Sequence, residues 1–219
     1  MYTLFPERRY FMFCFKWTRF LGTDHEKALS PSAYFSSLPH LRTDRLLLRP
    51  LQRKDAKDIF SYASDPEVAR YVLWEPHQSI SDTRSYISYM LSLYRHGYPG
   101  SWAVVHQKTG SVIGTIGFMW YSDANRSAEI GYSFSRQYWN QGYATESLRA
   151  VIKSSFSSLP LNRLEAQHDL RNPASGRVME KCGMRKEGIL RQRIRNNSVY
   201  IDTALYAVLR CDLEASSIL

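Results

Sequence analysis

Apolar residues along this chain recur at two spacings, which predicts that strands and helices follow one another in a mixed order. Short runs rich in β-branched and aromatic residues predict strands at residues 45–51, 101–106, 111–120, 127–134, 162–168, 187–195 and 199–209. Apolar residues at helical intervals predict helices at residues 54–63, 65–70, 81–94, 144–156 and 172–183. The predicted fold class is therefore α/β (α+β), with a mixed, mostly antiparallel twisted sheet of about seven strands flanked by helices.

One turn in this pattern has a sequence that suits a ligand. Residues 138–146 read YWNQGYATE and connect a predicted strand to an amphipathic helix. The N–H groups in the first turn of a helix attract anions, and Gly142 lets the backbone approach a ligand without a Cβ in the way. The small Ala144 keeps the first helical turn accessible. From its own residues, this turn is either plain punctuation between two elements or a cradle for a phosphate.

Length and composition indicate a single domain with an added N-terminal segment. The chain has 219 residues, of which 44% are hydrophobic and 14% aromatic, so it can bury one core of ordinary size. Residues 1–40 are first aromatic and basic and then rich in Ser and Pro. We expect them to form a poorly ordered or accessory N-terminal extension, and we expect the domain itself to cover residues 41–219.

Net charge, apolar runs and cysteine content limit the partners and metal sites that the sequence predicts. Twenty-nine Lys and Arg against 20 Asp and Glu give a net charge of +9, which favours an anionic partner. There is no dense basic run or RNA-binding motif, so we expect no direct nucleic-acid binding. No apolar run reaches the length of a membrane span, so we expect no membrane association. The three cysteines and six histidines are scattered, which predicts no metal site and is typical of a reducing cytoplasm.

Several familiar catalytic signatures are missing from the sequence, and a different likeness is present. The chain has no GxGxxG after a strand, no GxxxxGK[ST], no GxSxG and no HExxH, which argues against dinucleotide dehydrogenases, P-loop NTPases, α/β hydrolases and zincins. It does contain RTDRLLLRPL, YVLWEP, AEIGYSFSRQYWNQGYATESL and NPASGRVMEKCGMRKEGILR, in that order. Together these stretches resemble the GNAT superfamily of acetyltransferases, and specifically its RimJ/RimL-like branch of ribosomal-protein N-terminal acetyltransferases.

The resemblance implies the GNAT fold, with acetyl-CoA as the donor and a splayed strand pair that holds it. The pyrophosphate is then expected on backbone N–H groups of the turn, where Trp139 replaces the Gln or Arg that is usual in the superfamily. The pantetheine arm is expected along the preceding strand and beside Asn172, which by its local sequence is also a helix N-cap before Pro173. The implied cofactor-binding residues are Gly131, Tyr132, Ser133, Phe134, Trp139, Asn140, Gln141, Gly142, Tyr143, Ala144 and Asn172.

The same resemblance implies direct attack of an amine on the thioester without an acyl-enzyme, so Cys182 is expected to be a packing residue. Glu129 is the candidate general base, because related enzymes often carry a carboxylate at this place; the alternative is a salt-bridged or solvated strand residue. Ser175 resembles a hydroxyl proposed as the general acid of the RimL-like branch; the alternative is an ordinary serine in the first turn of a helix. Many superfamily members use a tyrosine as the acid, and Met179 stands at that position here.

A basic stretch near the C terminus has three interpretations. RQRIR, at residues 191–195, is either a solvated strand face, a contact for the 3′-phosphate of CoA, or a docking surface for an acidic acceptor protein. Some relatives carry a catalytic carboxylate in this strand, and the sequence predicts none here. Asp202, on the last strand, is expected to be structural.

These observations predict an acetyl-CoA-dependent N-acetyltransferase whose acceptor is a protein N-terminal α-amino group, as in ribosomal-protein acetylation. The alternative within the same chemistry is a small amine such as a polyamine, an amino acid or an antibiotic. Two further alternatives are a non-catalytic, basic protein associated with the ribosome or nucleic acid, and a CoA-binding relative without turnover. We expect a monomer or a homodimer, with the acceptor chosen by loops around residues 72–100 and 119–127.

Overall fold

The chain builds an eight-stranded sheet, seen in a computed structural model that describes residues 30–196 and 199–215. The strands are β1 Leu41–Arg42, β2 Leu46–Pro50, β3 Ser101–His106, β4 Val112–Ser122, β5 Ser127–Phe134, β6 Arg163–Asp169, β7 Arg185–Asn196 and β8 Val199–Leu209. The helices are α1 Pro31–Ser36, α2 Ala56–Ala63, α3 Pro66–Ala69, α4 Ile80–His96, α5 Tyr143–Ser158, α6 Pro173–Lys181 and α7 Arg210–Ala215. Short 3₁₀ turns occur at Arg53–Asp55 and Arg136–Tyr138.

The sheet is antiparallel except where β5 meets β6. The strand order is β1-β2-β3-β4-β5-β6-β8-β7. The parallel pair runs only from Ser127 opposite Arg163 to Glu129 opposite Glu165. Beyond these residues each strand continues without pairing to the other, so the two diverge into a V-shaped opening. The mixed, mostly antiparallel sheet predicted from the sequence is confirmed, with eight strands where about seven were expected, and the opening lies where the resemblance implied a splayed pair.

Neighbouring residues of β5 show which helices cover each face of the sheet, because successive side chains on a strand point to opposite faces. Tyr132 donates its hydroxyl proton to the backbone carbonyl of Ser175 in α6, at 3.0 Å. Ser133 lies on the other face, where its hydroxyl is 3.3 Å from that of Thr115. Tyr62 of α2 lies against the same two hydroxyls, and its burial raises its pKa. The V-shaped opening therefore connects the α6 face of the sheet with the α2 face.

The segment just before β1 packs into the core, although its composition predicts an accessory extension. The Ser30 hydroxyl caps α1, and the helix places Tyr34 and Phe35 at 0% and 1% exposure. Both rings lie edge-on to aromatic side chains of the sheet. Residues 30–40 are therefore packed with the domain, and what we expect of residues 1–29 lies outside the described residues.

The remaining differences from the predicted elements concern short pieces. β1 is only two residues long, and such a strand has no periodicity to read in a sequence. The short α7 follows β8 directly and was not predicted. The hairpin predicted between the last two strands is present, with residues 197 and 198 at its tip outside the described part. None of these differences moves the V-shaped opening.

Candidate active site

The turn between β5 and α5 has the backbone shape of an anion cradle. Asn140 and Gly142 both have positive φ, 59° and 82°, on either side of Gln141. Such a backbone turns successive N–H groups toward one concave side. The first bond of α5 joins the N–H of Glu146 to the carbonyl of Gly142, so the N–H groups before Glu146 have no intrahelical acceptor. Together with the positive end of the helix dipole, they can hold a phosphate.

Trp139 anchors this turn but does not add its own amide to the cradle. Its N–H donates to the carbonyl of Arg136 at 3.1 Å and closes the 3₁₀ turn, so this N–H is not available to a phosphate as the resemblance implied. Its indole Nε1 donates to the carbonyl of Phe134 at 2.8 Å, which ties the turn to the end of β5. Of the residues that the resemblance implied for the cradle, Asn140 to Ala144 keep N–H groups that remain for an anion.

Tyr143 begins α5 with its side chain turned into the protein. The residue is 8% exposed, and its ring packs edge-on against the rings of His106 and Tyr138. Its hydroxyl lies 3.3 Å from Nε2 of His106. The side chain is therefore structural, and only the backbone N–H of Tyr143 can serve the cradle.

The V-shaped opening leads from this cradle along β5. One edge of β5, from Gly131 to Phe134, pairs with β4, and the opposite edge has no strand partner among the described residues. An extended arm carrying amide groups can add to such an edge as another strand would. A Cβ on Gly131 would lie 3.0 Å from Sδ of Met119, so a side chain here would also displace its neighbour in the sheet.

Asn172 and Ser175 lie together at the start of α6, on the side of the opening away from the cradle. The side-chain amide of Asn172 donates to Oγ of Ser175 at 3.1 Å, and Asn172 makes no side-chain cap to the helix. Tyr132 reaches the carbonyl of Ser175 from β5. Because Oγ of Ser175 accepts from Asn172, its own proton is free for donation to another acceptor. The helix-cap alternative for Asn172 is thus not what its side chain does.

Glu129 lies on the α2 face and belongs to a hydrogen-bonded network across four strands. Its Oε2 accepts from the indole Nε1 of Trp120 at 2.7 Å, and its Oε1 accepts from Nε2 of Gln167 at 3.0 Å. The hydroxyl of Thr203, which is 1% exposed, donates to Oε1 of Gln167 at 2.9 Å and fixes that amide. The carboxylate is therefore held in one orientation beside the splay.

The sequence did not point to the three partners of Glu129. Trp120, Gln167 and Thr203 come from β4, β6 and β8, and each reads as an ordinary strand residue. Only the strand order, with β8 inserted next to β6, brings them onto one face. The alternation within each strand predicts the face of the sheet on which a side chain lies. No local pattern in the sequence predicts which strand lies next to it.

Two residues that bear on alternative mechanisms are buried. Met179 is 2% exposed and packs in the core, so the position where many superfamily members carry an acid has no proton donor. Cys182 is 7% exposed, and its Sγ lies 3.4 Å from the carbonyl of Thr145, to which it donates. Burial raises the pKa of the Cys182 thiol to about 12. A thiol that stays protonated is a poor nucleophile, in keeping with direct attack.

The basic strand β7 forms one edge of the sheet and is separated from β6 by β8. Arg191, Arg193 and Arg195 are exposed. At the end of β7, Nδ2 of Asn196 donates to the carbonyl of Val72 at 3.3 Å, which links this strand to the loop predicted to choose the acceptor.

Strand β7 contains a bulge between Leu190 and Ile194, and a hydrogen bond from β7 to β8 supports it. Gln192 has a φ of 50°, and its N–H donates to Oδ1 of Asp202 on β8 at 2.7 Å. This bond holds the bulge that presents the arginines on either side of Gln192. Asp202 is therefore engaged with the backbone, as the sequence led us to expect.

Within residues 30–196 and 199–215, no three His, Cys, Asp or Glu side chains lie close enough together to hold a metal ion. No helix in these ranges is long and apolar enough to cross a membrane.

Comparison with known protein families gives a match that spans the site. Residues 45–185 match the acetyltransferase (GNAT) domain family. The matched segment includes the cradle turn, both strands of the opening and the start of α6, and it is more than half of the chain. The cradle turn, Glu129, Asn172 and Ser175 therefore lie within the matched segment, whereas Thr203 and most of β7 lie beyond it.

Individual relatives agree with this match. The chain is 38% identical over 172 residues to the uncharacterized N-acetyltransferase YoaA of Bacillus subtilis, covering 78% of this chain and 97% of that one. It is 32% identical over 130 residues to the ribosomal-protein-serine acetyltransferase of Escherichia coli, covering 59% of this chain and 72% of that one.

Solved structures give the same picture of the fold. A GNAT-family acetyltransferase from Bacillus anthracis superposes with a TM-score of 0.70 at 31% identity, covering 78% of this chain and 98% of that one. RimL, a ribosomal L7/L12 α-N-protein acetyltransferase in complex with coenzyme A, superposes with a TM-score of 0.71 at 21% identity, covering 78% of this chain and 98% of that one.

Proposed function

The chain belongs to the GNAT family of N-acetyltransferases and is similar to its RimJ/RimL-like branch, and on that premise we propose that it acetylates the α-amino group of a protein N terminus. The donor of the family is acetyl-CoA. The observation that carries the proposed acceptor is the arrangement of Glu129, a carboxylate whose two oxygens already accept hydrogen bonds from neutral donors.

The donor is proposed to bind along the V-shaped opening. Its pyrophosphate fits the N–H groups from Asn140 to Ala144, because these lack intrahelical acceptors at the positive end of α5. Its pantetheine arm fits the unpaired edge of β5 from Gly131 to Phe134. The side-chain carbonyl oxygen of Asn172 lies on the opposite side of the opening. This arrangement delivers the thioester to the point where β5 and β6 separate, next to Glu129.

The acceptor amine must lose a proton, and its pKa sets how strong a base is required. An α-amino group with a pKa near 7.8 is about 15% neutral at pH 7, whereas a lysine side chain near 10.4 is only about 0.04% neutral. A carboxylate already held by Trp120 and Gln167 suits a water-mediated, modest base. That arrangement is adequate for an α-amino group and poorly suited to a lysine.

The proposed reaction balances without an acyl-enzyme. The amine nitrogen attacks the thioester carbonyl carbon, a C–N bond forms and the C–S bond breaks. The proton lost by the amine passes through a water molecule to Glu129. The leaving CoA thiolate takes the proton of the Ser175 hydroxyl, whose orientation Asn172 fixes at 3.1 Å. Glu129 then releases the proton it accepted to solvent, and Ser175 regains a proton from solvent.

The exposed surface along β7 fits a peptide with acidic residues better than it fits a polyamine. Arg191, Arg193 and Arg195 are exposed on β7, and Leu73 in the neighbouring loop is 58% exposed. The net charge of +9 repels a polycation at long range and attracts an acidic chain. We therefore propose that acidic residues downstream of the acceptor amine are bound along β7.

A cytoplasmic location is proposed from the cysteine pattern alone.

The acceptor class is tested by measuring release of CoA thiol from acetyl-CoA against a panel of amines. The panel contains N-terminal peptides in matched acidic and neutral pairs, polyamines and free amino acids. We expect turnover of the peptides, with a KM for acidic members about tenfold lower than for their neutral partners. Preferred turnover of a polyamine or free amino acid would contradict the proposed acceptor.

A charge-reversal variant locates the source of any acidic preference. Changing Arg191, Arg193 and Arg195 to Glu should remove the difference between the acidic and neutral peptides. A control variant changes Lys54, Lys57 and Lys108 to Glu, which gives the same change in net charge on exposed residues away from β7. If both variants lose the preference equally, net charge is responsible and the docking role of β7 is excluded.

A further inference from the structure

Arg45, the residue just before β2, packs against the cradle turn. Its Nη1 donates to the carbonyl of Gln141 at 2.9 Å. Its guanidinium carbon lies 4.2 Å from the centre of the Tyr143 ring, and its Nη2 lies 3.4 Å from the place that a Cβ on Gly142 would occupy. One side chain from a distant part of the sequence therefore contacts three consecutive residues of the cradle.

Glu146, in the first turn of α5, fixes Arg45 in this place. Nε and Nη2 of Arg45 lie 2.7 and 2.6 Å from Oε2 of Glu146. Oε1 of Glu146 accepts from the hydroxyl of Thr43 at 2.5 Å and from the N–H of Arg45 at 3.0 Å. Although burial acts to raise it, these bonds hold the pKa of Glu146 below its usual value. The pair stays ionised at neutral pH, and the guanidinium has little freedom to move.

The bond to Gln141 determines where the next N–H points. In a trans peptide unit the C=O and the following N–H point in opposite directions. Because Arg45 binds the carbonyl of Gln141, the N–H of Gly142 in the same peptide unit points away from Arg45, toward the concave side of the turn. A charged donor on the carbonyl also polarises the peptide unit and strengthens that N–H as a donor.

Arg45 also offsets the negative charge of Glu146 next to the cradle. A carboxylate in the first helical turn repels a phosphate bound at the helix N terminus. The guanidinium beside Glu146 neutralises that charge, so the helix dipole and the free N–H groups can act on an anion.

We propose that Arg45 is a positioning residue for the donor pyrophosphate, acting through the peptide unit of Gln141 and Gly142 without touching the phosphate. This inference rests on the proposed binding of acetyl-CoA at the cradle and adds to it a residue that none of the sequence motifs for the cofactor includes. Lysine cannot replace it, because a single ammonium group cannot bind Glu146 and the Gln141 carbonyl with the same fork geometry.

The test compares two acetyl donors, of which only one has the pyrophosphate. Acetyl-CoA carries the pyrophosphate with the 3′-phosphoadenosine attached to it, and acetyl-pantetheine carries neither. Arg45→Met should raise the KM for acetyl-CoA about tenfold while leaving the KM for acetyl-pantetheine and both kcat values unchanged. Arg45→Lys should raise the KM for acetyl-CoA by a smaller factor. Arg70→Met, which removes an exposed ion pair with Glu67, is the control and should change neither KM.

The outcomes separate this proposal from the one on which it rests. An equal loss with both donors, or no loss with either, would show that Arg45 has no role specific to the pyrophosphate. Full activity of the Lys variant would exclude the fork geometry. If the wild-type protein itself fails to distinguish the two donors, the cradle assignment is wrong rather than the role of Arg45. Thermal unfolding of each variant confirms that the comparison is made on folded protein.

Discussion

Gly142→Val is expected to weaken acetyl-CoA binding by about a hundredfold, with the fold retained. Gly142 has a φ of 82°, a conformation in which a β-branched residue is strained. Among the described residues other than its chain neighbours, only Arg45 would have an atom within 4 Å of the added Cβ, with Nη2 at 3.4 Å, so crowding is not the main effect. The loss comes from the backbone, since relieving the strain turns the N–H groups of the cradle away from their common centre. Isothermal titration with CoA measures it.

Gly110→Val is the matched control for this experiment. Gly110 also has a positive φ, 73°, and no described residue other than its chain neighbours has an atom within 4 Å of its Cβ position. It occupies the turn between β3 and β4, so its substitution carries similar strain without touching the cradle. We expect a similar loss of thermal stability in both variants and a loss of CoA affinity only in the first. If folded Gly142→Val binds CoA as the wild type does, the cradle is not at this turn.

Glu129→Gln is expected to lower kcat/KM for a peptide acceptor by about a hundredfold at saturating acetyl-CoA. The substitution keeps the size of the side chain but removes the charge that accepts the amine proton through water. It also places an amide NH₂ against donors from Trp120 and Gln167, which leaves one of these hydrogen bonds unmade. The KM for acetyl-CoA should stay the same, because the cradle lies at the other end of the opening.

Glu165→Gln provides the comparison for the Glu129 variant. Glu165 is the partner of Glu129 in the parallel register and accepts from Nε of Arg163 at 2.5 Å. It therefore has the same strand environment but a cationic partner in place of neutral donors. We expect its kcat/KM to stay within about twofold of the wild type. If the Glu129→Gln variant is as active as the Glu165→Gln variant, the Glu129 carboxylate has no role in the mechanism.

Local signals in the sequence were sufficient for the long strands of the sheet and for the turn between β5 and α5. That this turn binds a phosphate is implied by the family resemblance and stays a prediction. Periodicity gives each long strand, and a glycine between a strand and an amphipathic helix marks the turn. The left-handed conformation of Gly142 follows from the absence of a Cβ, and the matching conformation of Asn140 belongs to the residue type that tolerates it best after glycine.

The parts of the site that the sequence did not reveal depend on contacts between distant segments. The Arg45 guanidinium meets the carbonyl of Gln141 across 96 positions in the chain. The network of Glu129 needs β8 to lie beside β6, an order that no local pattern determines. The packing of α1 was missed for a related reason, since its Ser-rich and Pro-rich surroundings hide Tyr34 and Phe35.

The central claim, transfer of acetyl from acetyl-CoA to an N-terminal α-amino group, is tested most directly with one peptide that has both a free N terminus and a lysine. After incubation with the protein and acetyl-CoA at neutral pH, tandem mass spectrometry locates the added acetyl group. We expect a single acetyl group on the α-amino nitrogen, with the lysine unmodified. Acetylation of the lysine in preference to the N terminus would contradict the account.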